Sequence, residues 1–379
     1  MSIDHERGFG TSQVPAWRRR WVAWRNGVMA SRGFQAWAAR LPLVSWIARR
    51  RAGEAFDLVA GFCYSQVLLA AVQVGLLDRL RAGPCNAAGL ALLGGLSEAA
   101  SLRLLRAAAA LDLAEAVAPG WWMLGQRGAA LQANPGALAM VRHHALLYAD
   151  LADPVALLRR DRSEPTALSA FWHYAADAPA PEASAYSALM ASSQAMVAQQ
   201  ALGAYRFARH RRLLDLGGGH GAFVTAVRAA CPGLELGVFD LPPVITGAAA
   251  RLGGEAGGGA IALHPGDFFH DALPQGYDCI TLVRVLHDHD DAACLALLRA
   301  VRRALPPGGR LVIAEPMAGA PGAPAMGDAY FGFYLWAMNA GRPRTAAEYG
   351  AMLEAAGFAG WWCRPTSYPV VASVVVAQS

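Results

Sequence analysis

Leu213-Leu214-Asp215-Leu216-Gly217-Gly218-Gly219-His220-Gly221-Ala222-Phe223 is an apolar run that enters a glycine turn and then opens a helix. That order is the first strand–turn–helix unit of a doubly wound α/β sheet, where a nucleotide-like ligand lies across the carboxyl end of the strand. The glycines let a ligand approach the backbone and supply φ values that side chains resist. Gly217, Gly219 and Ala222 satisfy G-x-G-x-x-G/A, the dinucleotide pattern. Asp215, two residues before the first glycine, argues against a pyrophosphate, because a carboxylate there repels anions and favours a cation. S-adenosylmethionine carries an ammonium, a sulfonium and no phosphate, so D-x-G-x-G-x-G suits it better than it suits NAD.

Two further acids extend the reading. Leu234 to Phe239 reads as the next strand, and Asp240 ends it twenty-five positions after Asp215, where a carboxylate meets ribose hydroxyls. Leu241 follows it directly and joins the cofactor-facing candidates. Gly266-Asp267-Phe268-Phe269 places an acid and aromatic rings after another short apolar segment, which suits an adenine amine and an adenine face. Each acid alone also reads as a turn residue or a cap. Three at successive strand ends favour a nucleoside site.

Cys279 to Val285 is a further apolar strand, and Leu286-His287-Asp288-His289-Asp290-Asp291 stands at its carboxyl end, before a helix from Ala292 to Leu305. For His287 three roles are open: general base, metal ligand, or helix-start residue without chemistry. The acids of this cluster are competent metal ligands, but consecutive residues rarely converge on one centre, and caps and the helix dipole explain them. No metal is expected. The strand Arg310 to Ala314 ends in Glu315, beside the preceding strand end. Its carboxylate is placed to accept the far imidazole proton and orient His287 as a base.

The chain has 379 residues, enough for two or three domains, and its 55% hydrophobic and 16% charged composition is more apolar than usual. A dimer interface, a lipophilic substrate, or both absorb that excess. Six cysteines without C-x-x-C spacing and no cleavable signal fit a reducing cytoplasm. Charge is uneven. Residues 16–51 hold nine arginines, no acid and five of eleven tryptophans; subtracting nine from the net +5 leaves −4 elsewhere. Trp17, Trp21, Trp24 and Val28 fall on one helical face with arginines on the others, which reads either as a membrane-interface helix or as a packed helix with solvated arginines. Leu58 to Leu77 is twenty residues without a charge; two short buried helices are expected there rather than a span.

From Phe56 to Leu131 the pattern is helical, then a hairpin about Pro119-Gly120 with Trp121 to Leu124 as its second strand. Such a winged helix raises DNA binding as a rival function. Residues 56–135 hold five arginines and five acids, however, and a nucleic-acid footprint is basic. A dimerisation module is expected instead, and no nucleic-acid partner. The divisions that result are an extension over 1–53, the winged-helix module over 54–135, pocket-lining helices over 136–209 and a cofactor domain over 210–379. Residues 137–209 carry His143, His144, Tyr148, Phe171, Trp172, His173, Tyr186, Met190 and Met196, which line a pocket or merely pack.

The winged-helix start, D-x-G-x-G-x-G, Asp240, Asp267-Phe268, Leu286-His287-Asp288, Glu315 and Gly341-Arg342-Pro343-Arg344-Thr345 together resemble the metal-independent small-molecule O-methyltransferases typified by plant caffeate methyltransferase. The resemblance covers nearly the whole chain from about residue 54. It implies a Rossmann-like methyltransferase domain behind a winged-helix dimerisation domain, and a homodimer whose partners help close each other's pockets. It further implies S-adenosylmethionine held by Gly217, Asp240, Asp267 and Phe268, His287 as base and Glu315 beside it. There are departures. The plant enzymes have a second glutamate near Pro343 and a lysine near Val283; neither is present, although Arg284 is adjacent and is taken as a cofactor-side candidate. The Arg/Trp-rich leader and Phe56-Asp57-Leu58-Val59-Ala60-Gly61-Phe62-Cys63-Tyr64-Ser65-Gln66 are similar to the purple-bacterial carotenoid O-methyltransferases that act on hydroxyneurosporene or demethylspheroidene. That likeness implies a tertiary alcohol on a membrane-borne polyene as acceptor, with Phe331, Phe333, Tyr334, Trp336 and Met338 walling an apolar tunnel or packing as a helix. It also implies a cytoplasmic enzyme, peripheral on the inner or intracytoplasmic membrane. The alternatives are methylation of a polyketide, phenol or bacteriochlorophyll precursor and, further off, a DNA-binding regulator that senses the cofactor.

Overall fold

The first long apolar stretch forms one helix, Pro42–Gln73, rather than two short ones. In the computed structural model, which describes residues 14–40, 42–171, 194–253, 261–322, 325–339, 341–369 and 371–379, this helix runs uninterrupted until Gly75, whose φ of +71° ends it. Gly61 alone is too weak a breaker to divide it. Nor is it buried along its length. Leu69, Ala71 and Val72 enter a core, whereas Phe56, Leu58, Val59 and Phe62 are exposed. Ser45–Gln73 is also long and apolar enough to cross a membrane. Before it lie the helices Ala16–Ala30 and Arg32–Arg40.

The end of the long helix joins Leu76–Ala82, Ala87–Gly94 and Glu98–Ala110 around Leu76, Leu80, Leu90, Leu105 and Trp122. Asn86 and Ser97 start two of these helices by accepting from Gly89 N at 2.9 Å and Ala100 N at 3.2 Å, as caps do. Strands β1 (Ala114–Ala118) and β2 (Trp121–Leu124) form the expected antiparallel hairpin, with Gly120 at φ +77° in its turn. Helices Pro135–Asp150 and Pro154–Arg159 follow. Of the aromatic and methionine residues singled out there, Trp172, His173, Tyr186 and Met190 lie outside the described residues.

The remaining strands build one seven-stranded sheet: β3 (Arg212–Leu216), β4 (Glu235–Asp240), β5 (Ala262–Pro265), β6 (Cys279–Val283), β7 (Arg310–Glu315), β8 (Gly360–Arg364) and β9 (Ser373–Gln378). Their order is β5-β4-β3-β6-β7-β9-β8, with β9 antiparallel to both neighbours and the other pairs parallel. Helices Asp291–Ala304 and Ala346–Ala355 cover one face; Ala222–Ala230 and Pro242–Leu252 cover the other. Chain direction across the sheet reverses between β3 and β6, and ligands of such sheets bind in the crevice at that reversal. The glycine turn leaves β3 there, and His287 leaves β6.

Candidate active site

Asp215 lies inside β3 and is 1% exposed, so it does not face a ligand as the sequence suggested. Thr281 donates to its Oδ1 at 2.6 Å from the neighbouring strand, and its buried Oδ2 has no hydrogen-bond partner among the described residues. Burial, offset in part by that bond, pushes the carboxyl up to about 7. Above it the turn is glycine for steric reasons. A Cβ on Gly218 would stand 2.7 Å from Asp215 Oδ2, and one on Gly217 (φ +66°) would stand 2.8 Å from Val285.

Asp240, at the end of β4, holds the turn from the other side. Its Oδ2 accepts from Gly219 N and its Oδ1 from Leu241 N, both at 2.8 Å, while burial raises its pKa against those bonds. Leu241 is exposed beside it. Asp267 is engaged within its own loop, accepting from Phe269 N at 2.8 Å and lying 2.7 Å from His270 Nδ1. Phe268 packs toward Gly217 and meets Phe269 at 4.7 Å between centroids. Gly217, Gly219, Asp240 and Phe268 therefore gather about one turn, whose backbone is open at Gly219, where a Cβ would meet nothing within 4 Å. An adenosyl group with a cationic tail fits a cradle of open glycine backbone, a carboxylate and a ring face.

Glu315 explains why His287 stands at the end of β6. Fully buried at the end of β7, its Oε1 accepts from Val285 N at 2.9 Å and Leu286 N at 2.8 Å, and its Oε2 pairs with His287 Nδ1. One carboxylate thus fixes both the backbone that carries the imidazole and the ring itself. His287 is 4% exposed, and Asp288 Oδ1 lies 3.2 Å from its Nε2 without hydrogen-bond alignment. Burial acts to lower the imidazole pKa, but Asp288 and Glu315 outweigh it and hold the group above its ordinary value. Asp288 places a second carboxylate near the ring, since Pro343 offers none. Asp290 caps the helix by accepting from Ala293 N at 2.8 Å, and Asp291 receives Arg342 and Arg344. Asp290 and Asp291 thus each have a structural partner.

Gly341 to Arg344 brace the base from behind, a role the sequence reading did not give them. Arg344, fully buried, donates to Leu286 O at 2.8 Å and His289 O at 2.7 Å, while Arg342 N donates to His287 O at 3.0 Å. A Cβ on Gly341 would lie 1.7 Å from His287 O. Arg284 leaves β6 with a positive φ of 58°, uncommon for a side-chain-bearing residue, and its N donates to Ala314 O at 3.0 Å. Its charge acts on His287 and Tyr330.

Tyr334, Met338 and Trp336 pack with Leu147 and Leu157. Trp336 donates to Leu157 O at 3.0 Å, and Tyr334 lies 2.9 Å from His143 Nε2. Phe331 meets Tyr330 at 4.9 Å, and Tyr330 in turn lies 2.7 Å from His144 Nε2. Met326–Phe331 is a π-helical turn, a distortion common at functional sites.

A glycine-turn crevice beside a buried His–Glu pair, at the reversal of a mostly parallel seven-stranded sheet, defines a class I S-adenosylmethionine-dependent methyltransferase. The O-methyltransferase domain model matches residues 148–359 and the O-methyltransferase dimerisation domain model matches 56–121, so the chain belongs to the O-methyltransferase family and forms the dimer that this domain builds. It is 45% identical to the demethylspheroidene O-methyltransferase of Cereibacter sphaeroides over 92% of each chain. To that of Rhodobacter capsulatus it is 44% identical over 89% of this chain and 85% of the relative. Its fold is similar to human N-acetylserotonin methyltransferase in complex with SAM, with TM-score 0.72, 24% identity, and 87% and 97% of the two chains covered.

Proposed function

We propose that the enzyme methylates a hydroxyl of a carotenoid of the demethylspheroidene type, with His287 as the general base. The substrate class follows from the two purple-bacterial relatives named for that acceptor. Gly217, Gly219, Asp240 and Leu241 would hold the nucleoside and amino-acid parts of S-adenosylmethionine and Phe268 its adenine, while Asp215 in β3 and Asp267 in its loop support them. When bound, S-adenosylmethionine would supply a methyl made electrophilic by its sulfonium, with the neutral thioether as the leaving group. His287 Nε2 receives the hydroxyl proton, while Nδ1–H points at Glu315 Oε2 and the carboxylate stabilises the resulting imidazolium. The dry, fixed setting supports catalysis by positioning, which contributes about 7 to 11 kcal/mol in well-aligned two-substrate reactions. The observation that carries the base assignment is Glu315 binding the loop backbone and the ring at once.

Incubation with labelled S-adenosylmethionine and a 1-hydroxy carotenoid in detergent is expected to label the polyene; label transferred to a phenol instead would reverse the substrate reading. His287→Ala is expected to lower turnover about a hundredfold or more and leave cofactor affinity nearly intact. Retained turnover would reduce His287 to a structural residue. A membrane-borne acceptor also favours a cytoplasmic enzyme held at the bilayer surface through residues 16–51.

A further inference from the structure

We infer that residues 16–51 form a docking platform for an anionic lipid bilayer. The inference takes its purpose from the carotenoid reading, but its physical basis is separate. No residue of the helix Ala16–Ala30 is buried. All five tryptophans of the platform, Trp17, Trp21, Trp24, Trp37 and Trp46, are between 54% and 71% exposed, so the described residues do not cover this face. Burial of a tryptophan ring is worth a large fraction of a small domain's stability, and a soluble chain rarely leaves five together in water.

The helical positions sort the chemistry. At 100° per residue, Trp17, Trp21 and Trp24 form a narrow stripe, with Arg18 and Arg25 along one edge and Arg20 along the other. That order matches a helix lying flat in a headgroup layer. Rings enter the interface, and flanking guanidinium groups reach back to lipid phosphates. Trp21 and Trp24 meet at 5.1 Å, so the stripe is continuous. Of the nine arginines of this window, only Arg50 has an ion pair among the described residues, with Glu54 at 2.9 Å. The platform therefore offers an unneutralised positive field, complementary to anionic headgroups.

Two other occupants are less well matched. A second copy of the chain is served by the dimerisation domain, which the family model matches from residue 56, beyond the platform; the exposed Phe56, Leu58, Val59 and Phe62 belong to that domain. A duplex nucleic acid would use the arginines but, with its bases already stacked, leave the tryptophan stripe without a role.

The test uses the full-length protein and vesicles without acceptor, of phosphatidylcholine alone or with about one-third phosphatidylglycerol. Co-sedimentation is expected to favour the anionic vesicles by about tenfold or more, to weaken as salt rises, and to shift tryptophan emission to the blue. Replacing Arg18, Arg20 and Arg25 with Gln is expected to lower partitioning by at least about tenfold. The triple change Trp17→Ala, Trp21→Ala, Trp24→Ala is expected to abolish sedimentation while leaving dimer mass and turnover of detergent-dispersed acceptor unchanged. Partitioning indifferent to lipid charge would overturn the inference, as would loss of the dimer in the tryptophan variant or duplex DNA displacing the vesicles. Failure of vesicle binding with retained methylation in detergent removes the platform and spares the substrate reading; binding without methylation does the reverse.

Discussion

Asp288 and Glu315 act on His287 in opposite places, and their effects separate by pH. A base works only when neutral, and both carboxylates hold the imidazole above its ordinary pKa against burial. Turnover therefore falls as pH drops through that raised value and levels off above it. Asp288→Asn removes one of the two charges, so the acid limb of kcat/KM is expected to move to lower pH; a limb that stays in place or moves up would show that Asp288 does not set it. The His287–Glu315 pairing was legible in the sequence, because each residue ends an apolar run. What Asp215 does was not legible. Its partner Thr281 is sixty-six residues away on the neighbouring strand, and only the sheet register shows that the carboxylate is covered. Arg284 was placed on the cofactor side by adjacency alone; its positive φ at the end of β6 was not legible, nor that its charge acts on His287 and Tyr330.

At the scale of elements, strands β3, β4, β6 and β7 and the hairpin were readable because apolar runs stopped at glycines, acids or Pro119-Gly120. The continuous helix Pro42–Gln73 was not, because composition does not say which apolar residues stay exposed. The brace from Gly341 to Arg344 was visible only as a motif. Its function is positional, through carbonyls of the turn that carries His287. Arg344→Lys keeps the charge but loses the forked donor set. It is expected to lower kcat by about tenfold or more with little change in the KM for S-adenosylmethionine. An equal rise in that KM would indicate a general collapse of the site instead.

Across the whole molecule, the helix Pro135–Asp150 packs on the winged-helix core through Val141 and meets the pocket-side helix through His143–Tyr334 and His144–Tyr330. Burial, helped by the neighbouring His144, lowers the pKa of His143 from 6.5 to about 4. The folded state therefore keeps this ring neutral where the unfolded chain protonates it. Its stability is fully present above about 6.5 and is lost as pH falls toward about 4. The thermal midpoint is expected to drop across that window, and less so in His143→Gln; identical profiles would assign the acid sensitivity elsewhere.

A saturation scan of this gene for activity will show two intolerant stretches, one at the base and one beginning at Gly341, fifty-four residues on. The second holds the turn that carries His287 through its carbonyls, and at Gly341 even alanine collides with the His287 carbonyl. In such a map it would look like a separate site. It is the rear wall of the first, and a variant there that fails in the cell is expected to fail for want of an aligned imidazole rather than for want of either substrate.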